Sequence, residues 1–266
     1  MVTDQLPIVI TGVSSGIGAR TAQVLAGRGA ALIGIDRNAA QTFDGVFIQA
    51  DLSTPAGVEA AAAAVAAAAP QGIAGLANIA GVPGTAPWRT VLAVNVFGVR
   101  GLVRALAPLM AEGSGIVNLA SNVAVQWRTV RDRCAKVALA EDQNAALDAL
   151  AGDEEVTAES YLFSKQCVRF LTEHLAAELL PRRIRVNSVS PGPVATPILE
   201  DFKQDHGRDK VEGAGKLLGR FGEPEDVARV VDFLLCPESA WVNGSDIRVD
   251  GGPVAYRGSV FAQQPA

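Results

Sequence analysis

An apolar run at residues 7–11 breaks into Thr-Gly-Val-Ser-Ser-Gly-Ile-Gly at 11–18, and the segment after it, about 16–28, has the character of a helix. Few folds accommodate a strand, a glycine turn and a helix in that order. Gly12, Gly16 and Gly18 would give a tight turn, close backbone approach to a pyrophosphate, and close packing of helix on sheet. The helix start then offers unpaired N–H groups and a positive dipole end to phosphates. A glycine triplet alone is a weak signal. The strand before it and the helix after it are the context that gives it meaning.

The rest of the chain keeps the same alternation. Strands are predicted at 31–36, 46–50, 73–78, 115–120, 184–190 and 247–249. Helices are predicted at about 58–69 (nearly all alanine), 91–111, 160–180 and 223–235, the last opened by Pro224 near its first turn. Strand–helix alternation with short connections implies a parallel sheet covered on both faces. The fold class is α/β: a Rossmann-type doubly wound parallel sheet, three layers αβα. No composition shift or internal repeat divides the chain, so residues 1–266 read as a single domain.

The formal charge of −5 argues against nucleic acid or an anionic membrane as partner. The first residues show no basic region ahead of an apolar run, so no signal peptide is expected. The alanine stretch at 58–69 is too short and too weakly apolar for a membrane span. Cys134, Cys167 and Cys236 are widely spaced and odd in number, which predicts reduced thiols in a cytoplasmic protein. His174 and His206 are too few and too far apart for a metal site, and none is expected. Asn243 begins a glycosylation-type triplet that a cytoplasmic chain would leave unmodified.

Asp36 ends the second strand, where a carboxylate would bind both ribose hydroxyls of an adenosine and repel a 2′-phosphate. Arg37 follows and would favour that phosphate, so NAD is expected over NADP without excluding it. Asp51, after the third strand, suits an adenine contact or equally a turn before Ser53.

Downstream, Tyr161 and Lys165 stand four apart in Tyr-Leu-Phe-Ser-Lys, which places them on one helix face. An ammonium beside a phenol favours the phenolate, and a phenolate near working pH is a usable general base. Alone, such a pair is common on helix surfaces. After the glycine loop it carries more weight.

These pieces together resemble the short-chain dehydrogenase/reductase family over residues 8 to about 252. The matching segments are TGVSSGIG at 11–18, NIAG at 78–81, VNVFG at 94–98, the IVNLAS run ending at Ser121, YLFSK at 161–165 and PGPVATP at 191–197. Ile79 and Ala120 depart from the commoner family residues, and neither removes a catalytic group. Within the family the chain is most similar to the bacterial coniferyl-alcohol dehydrogenase group. A sister resemblance is to the 3α-hydroxysteroid dehydrogenase/carbonyl reductases.

The resemblance implies roles. Tyr161 exchanges the alcohol proton, Lys165 lowers its pKa and binds the nicotinamide ribose, Ser121 hydrogen-bonds the substrate oxygen, and Asn95 holds a water linking Lys165 to solvent. The glycine loop, with Ser14, Ser15 and Ile17, takes the pyrophosphate. Asp51 and Leu52 flank the adenine. Asn78, Ala80 and Gly81 lie against the adenosine ribose. Pro191, Gly192, Val194 and Thr196 meet the nicotinamide side, and the loop at about 194–220 is a mobile lid.

Between Ser121 and Tyr161 lie 39 residues, an insertion at about 122–160 with an expected helix at 139–150. Trp127, Trp88 and Phe202 are candidate walls of a pocket for a planar aromatic substrate. The leading expectation is oxidation of an aryl allylic alcohol. The alternatives are a hydroxysteroid or carbonyl substrate and, from another class, an NAD(H)-binding sensor without turnover. The insertion should cover the faces through which relatives pair, leaving a homodimer built on the C-terminal helix and last strand.

Overall fold

The structure, a computed structural model, describes residues 6–259. Seven parallel strands form one sheet: β1 (Ile8–Thr11), β2 (Leu32–Asp36), β3 (Val46–Gln49), β4 (Ile73–Asn78), β5 (Met110–Leu119), β6 (Arg185–Pro191) and β7 (Asp246–Val249). Their spatial order is β3-β2-β1-β4-β5-β6-β7. The central strands are buried on both faces, which is why they read as unbroken apolar runs. The order reverses direction between β1 and β4, and a crevice opens there at the carboxyl ends of the strands.

Helices cover both faces. Against one lie α1 (Gly16–Gly27) and α11 (Pro224–Leu235), whose apolar sides bury Leu25, Val227 and Val231. Against the other lie α2 (Pro55–Ala68), the helical stretch Trp88–Leu109 and α8 (Ser160–Leu179). Thr54 caps α2 by accepting from the Gly57 N–H at 3.1 Å, with Pro55 at the first helical position. Asp226 folds back to accept from the Glu223 N–H at 2.7 Å, opening α11 with a capping box.

Two expectations are corrected. The helix expected at 91–111 is four pieces: α3 (Trp88–Leu92), a π-helical segment at Ala93–Gly98, α4 (Val99–Leu106) and a short 3-10 turn at Ala107–Leu109. Pro108 falls in that turn and cannot continue an α-helix, so Met110 and Ala111 already belong to β5. By length and composition alone, Trp88–Leu109 could span a bilayer, but 72% of its apolar window is buried inside the domain. The helix expected at 139–150 is shorter, covering only Gln143–Ala149. Residues 122–159 contain α5 (Arg131–Ala138), α6 (Gln143–Ala149) and α7 (Glu154–Ala158). Asp142 accepts from the N–H groups of Asn144 and Ala145, so a new helix starts there. Arg100 caps the end of α5 by donating to the Ala138 and Ala140 carbonyls.

Candidate active site

The glycine loop links β1 to α1. Gly12 and Gly16 take φ values of +78° and +55°, a region costly for side chains. A methyl on Gly18 would sit 2.0 Å from the Gly12 carbonyl oxygen. Thr11, at the end of β1, accepts from the N–H groups of both Ile79 and Ala80 at 2.9 Å. This bond fixes the first turn against the end of β4; the sequence reading had no motif that pointed to it.

A cleft of about 240 Å3 runs over this loop. Gly12, Ser14, Ser15, Gly16, Ile17, Gly18, Asp36, Arg37, Asp51, Leu52, Ala80, Gly81 and Thr196 all border it. Asp36 is oriented by two backbone donors, Ser14 N–H at 3.0 Å and Asn38 N–H at 2.9 Å. Asp51 borders the cleft and accepts from the Ser53 N–H, the turn role expected of it. Asn78 does not reach the cleft. Its amide is buried and donates to Asn118, which in turn donates to Thr172. Alternation along β4 turns that side chain inward.

A second cavity, of about 470 Å3, adjoins the cleft, and both are bordered by Ile17, Gly81, Leu119 and Thr196. Its floor is Ser121, just after β5, together with Tyr161 and Lys165 from the first turns of α8. Pro191, the last residue of β6, and Gly192 and Val194 beyond it also border the cavity. The Ser121 side chain lies close enough to the Tyr161 phenol to favour its ionised form. Lys165 is 4% exposed and donates to the Leu119 carbonyl at 2.8 Å. Burial lowers its ammonium to about 8.

Burial raises the Tyr161 phenol far above its ordinary value; the Ser121 side chain opposes this, and the Asp205 charge adds to it. The lowering expected from Lys165 is absent. Its Nζ lies 5.6 Å from the ring centroid and is directed at the Leu119 carbonyl, so desolvation governs the phenol.

Asn95 is carried by the π-helical segment, a geometry often found at functional sites. Its Oδ1 accepts from the Val82 N–H at 2.9 Å; its Nδ2 donates to the Val82 carbonyl and to Ser164 Oγ, each at 3.1 Å. A methyl on Gly81 would meet Asn95 Oδ1 at 3.1 Å and Lys165 Nζ at 3.6 Å, so both groups converge on that glycine.

The cavity walls are largely apolar: Val123, Val125, Leu162, Pro193, Phe202 and Val254. Of the three aromatic candidates only Phe202 lines it, with its ring 5.0 Å from that of Tyr161. Trp127 is 1% exposed and packs edge-on to Phe170 in the core, and Trp88 packs against the same core. Asp205 and Arg257 at the rim lay outside the sequence motifs and were missed. The segment over the cavity is helical, as α9 (Leu199–His206) and α10 (Arg208–Leu218). It is anchored where Ala195 donates to the Gly222 carbonyl at 2.8 Å, and Thr85 Oγ1 donates to Asp201 at 2.9 Å. The His206 side chain lies outside the described residues. Among the described residues no cluster of metal-ligating side chains occurs.

A doubly wound parallel sheet with a glycine-loop cleft beside a buried Tyr–Ser–Lys group defines a class: nucleotide-dependent oxidoreductases of the Rossmann type. Residues 7–133 match the short chain dehydrogenase family model, and residues 146–253 match a model described as enoyl-(acyl carrier protein) reductase. The chain is 38% identical to the coniferyl-alcohol dehydrogenase of Pseudomonas sp. (strain HR199 / DSM 7063), covering 92% of this chain and 95% of that one. It is 33% identical to the 3-alpha-hydroxysteroid dehydrogenase/carbonyl reductase of Comamonas testosteroni, with the same coverage. Among solved structures it resembles the 3-alpha-hydroxysteroid dehydrogenase of Pseudomonas sp. B-0831 complexed with NADH, with TM-score 0.81 and 37% identity over 94% of this chain and 98% of that one. The chain belongs to the short-chain dehydrogenase/reductase family, NAD(P)-dependent enzymes that act on CH–OH groups of small molecules.

Proposed function

We propose that the protein oxidises an aryl allylic alcohol of the coniferyl type to its aldehyde, using NAD. One observation carries the reading: Tyr161, Ser121 and Lys165 meet in one largely apolar cavity that adjoins the glycine-loop cleft. The likeness to a coniferyl-alcohol dehydrogenase over 92% of the chain supports the substrate class.

The glycine loop holds the pyrophosphate on bare backbone and the start of α1. Asp36 takes the adenosine ribose hydroxyls, its orientation set by Ser14 and Asn38, and its charge disfavours a 2′-phosphate. Bound there, the nicotinamide supplies the hydride acceptor. Tyr161 would accept the alcohol proton as its phenolate, a form disfavoured by burial and favoured by the positive charge that an oxidised nicotinamide would bring beside it. Ser121 orients the substrate oxygen and stabilises charge on it. Lys165 and Asn95, converging on Gly81, frame the path by which the proton leaves. Phe202 and the helices α9 and α10 close over the substrate and exclude water.

Residues 122–159 cover part of α8, which supports a homodimer formed elsewhere, around α11 and β7. Three buried cysteines without disulfides favour a cytoplasmic setting. A second reading, a 3α-hydroxysteroid substrate, draws on the solved relative with TM-score 0.81. Formation of NADH from a panel of cinnamyl, benzylic, aliphatic and steroid alcohols tests both. Turnover of none would overturn the enzyme reading.

A further inference from the structure

Helix α8 holds an arginine that the reaction above does not use. Arg169 lies one helical turn beyond Lys165 and two beyond Tyr161, on the same face. Its side chain is 15% exposed, and its Nε is buried without a hydrogen-bond partner among the described residues. Nη2 lies 3.4 Å from Asp246 Oδ2 on β7, and Nη1 lies 3.5 Å from the Ala124 carbonyl. Asp246 is 11% exposed, and its other oxygen accepts from Ser188 Oγ at 2.6 Å and Ser190 Oγ at 2.7 Å, both on β6.

Ala124 is fully buried and ends the short turn Asn122–Ala124, for which Ser121 is the N-cap. One guanidinium therefore spans three parts of the fold: the helix carrying Tyr161 and Lys165, the turn that begins at Ser121, and the edge strand. Burying an ion pair is weakly favourable at best, and an apolar contact between helix and sheet would serve stability as well. Its geometry favours a different use. Ser121 and Tyr161 come from separate elements yet line one cavity, and their mutual placement depends on how those elements sit against each other.

We propose that Arg169, held by Asp246, is a positioning residue that sets the Ser121 hydroxyl against the Tyr161 phenol. Asp246 and its two serines are the fixed end of the strut, and the Ala124 carbonyl is the end it steadies. The inference rests on the dehydrogenase reading given above.

The test is steady-state kinetics of folded variants with NAD and whichever alcohol the wild type oxidises. Arg169→Met should lower kcat about tenfold while leaving KM for NAD within about twofold, the pattern of an interaction felt in the transition state. Arg169→Lys keeps the charge but not the two-ended reach, and should recover only part of the loss. In a Ser121→Ala background, Arg169→Met should cost less than about twofold further, because the group it positions is gone. Asp246→Asn retains shape and serine partners, and carries the same comparison if Arg169→Met does not fold. Unchanged kcat in both variants would overturn the proposal, as would losses that multiply with that of Ser121→Ala. A wild type that oxidises no alcohol would instead bring down the underlying reading, and this one with it.

Discussion

Lys165 reaches from α8 to the end of β5 and donates to the Leu119 carbonyl at 2.8 Å. That bond leaves an ammonium inside the fold, 4% exposed, with its pKa lowered to about 8 by burial. Between about 8 and the ordinary 10.5 the unfolded chain binds the extra proton, so this group's contribution to stability rises with pH. Below about 8 the buried charge costs up to about 3 kcal/mol. Lys165→Met should therefore melt at a higher temperature than wild type near neutral pH, though it loses turnover. The advantage should shrink as pH climbs from about 8 past 10. A variant less stable at neutral pH would show that the Leu119 bond outweighs desolvation.

Tyr161 places a phenol oxygen in the cavity beside Ser121, one helical turn before Lys165. Tyr161→Phe keeps the ring against Phe202 and removes the proton carrier. Turnover should fall by a factor on the order of 10²–10⁴, with NADH binding by fluorescence unchanged. Near wild-type kcat would end the assignment.

Asp36 should decide the dinucleotide. Asp36→Ala removes both the ribose acceptor and the charge facing a 2′-phosphate, so the NAD-over-NADP ratio of kcat/KM should drop on the order of tenfold or more. A wild type that already prefers NADP would show that Arg37 dominates the cleft rim.

The fold was legible because its signals are local. The alternation of apolar runs and the punctuation by Gly12, Gly16 and Pro224 gave the layers and the nucleotide cleft. That Tyr161 and Lys165 share one helix face was legible through their spacing, whereas Ser121 was picked out only by the family resemblance. What escaped depended on tertiary choice. Trp127 looked like a pocket wall because it follows Ser121 closely, yet the turn at Asn122–Ala124 carries it inward onto Phe170. Asn78 looked like a ribose contact, but the strand pleat points it at Asn118. Nor could spacing show that burial, and not Lys165, governs the Tyr161 phenol.

The proposed homodimer rests on what residues 122–159 cover. They set α5 and α7 against α8, and Trp241, beside β7, is fully exposed. Light scattering should report twice the monomer mass, and Trp241→Glu should halve it. A tetramer joined through α4 and α8 would contradict this arrangement.

The substrate claim is tested most directly by kcat/KM for coniferyl alcohol and for a 3α-hydroxysteroid, measured side by side with NAD on the wild-type protein. The account predicts faster oxidation of coniferyl alcohol, abolished in Tyr161→Phe. A higher kcat/KM for the steroid would contradict it and assign the cavity to the hydroxysteroid class.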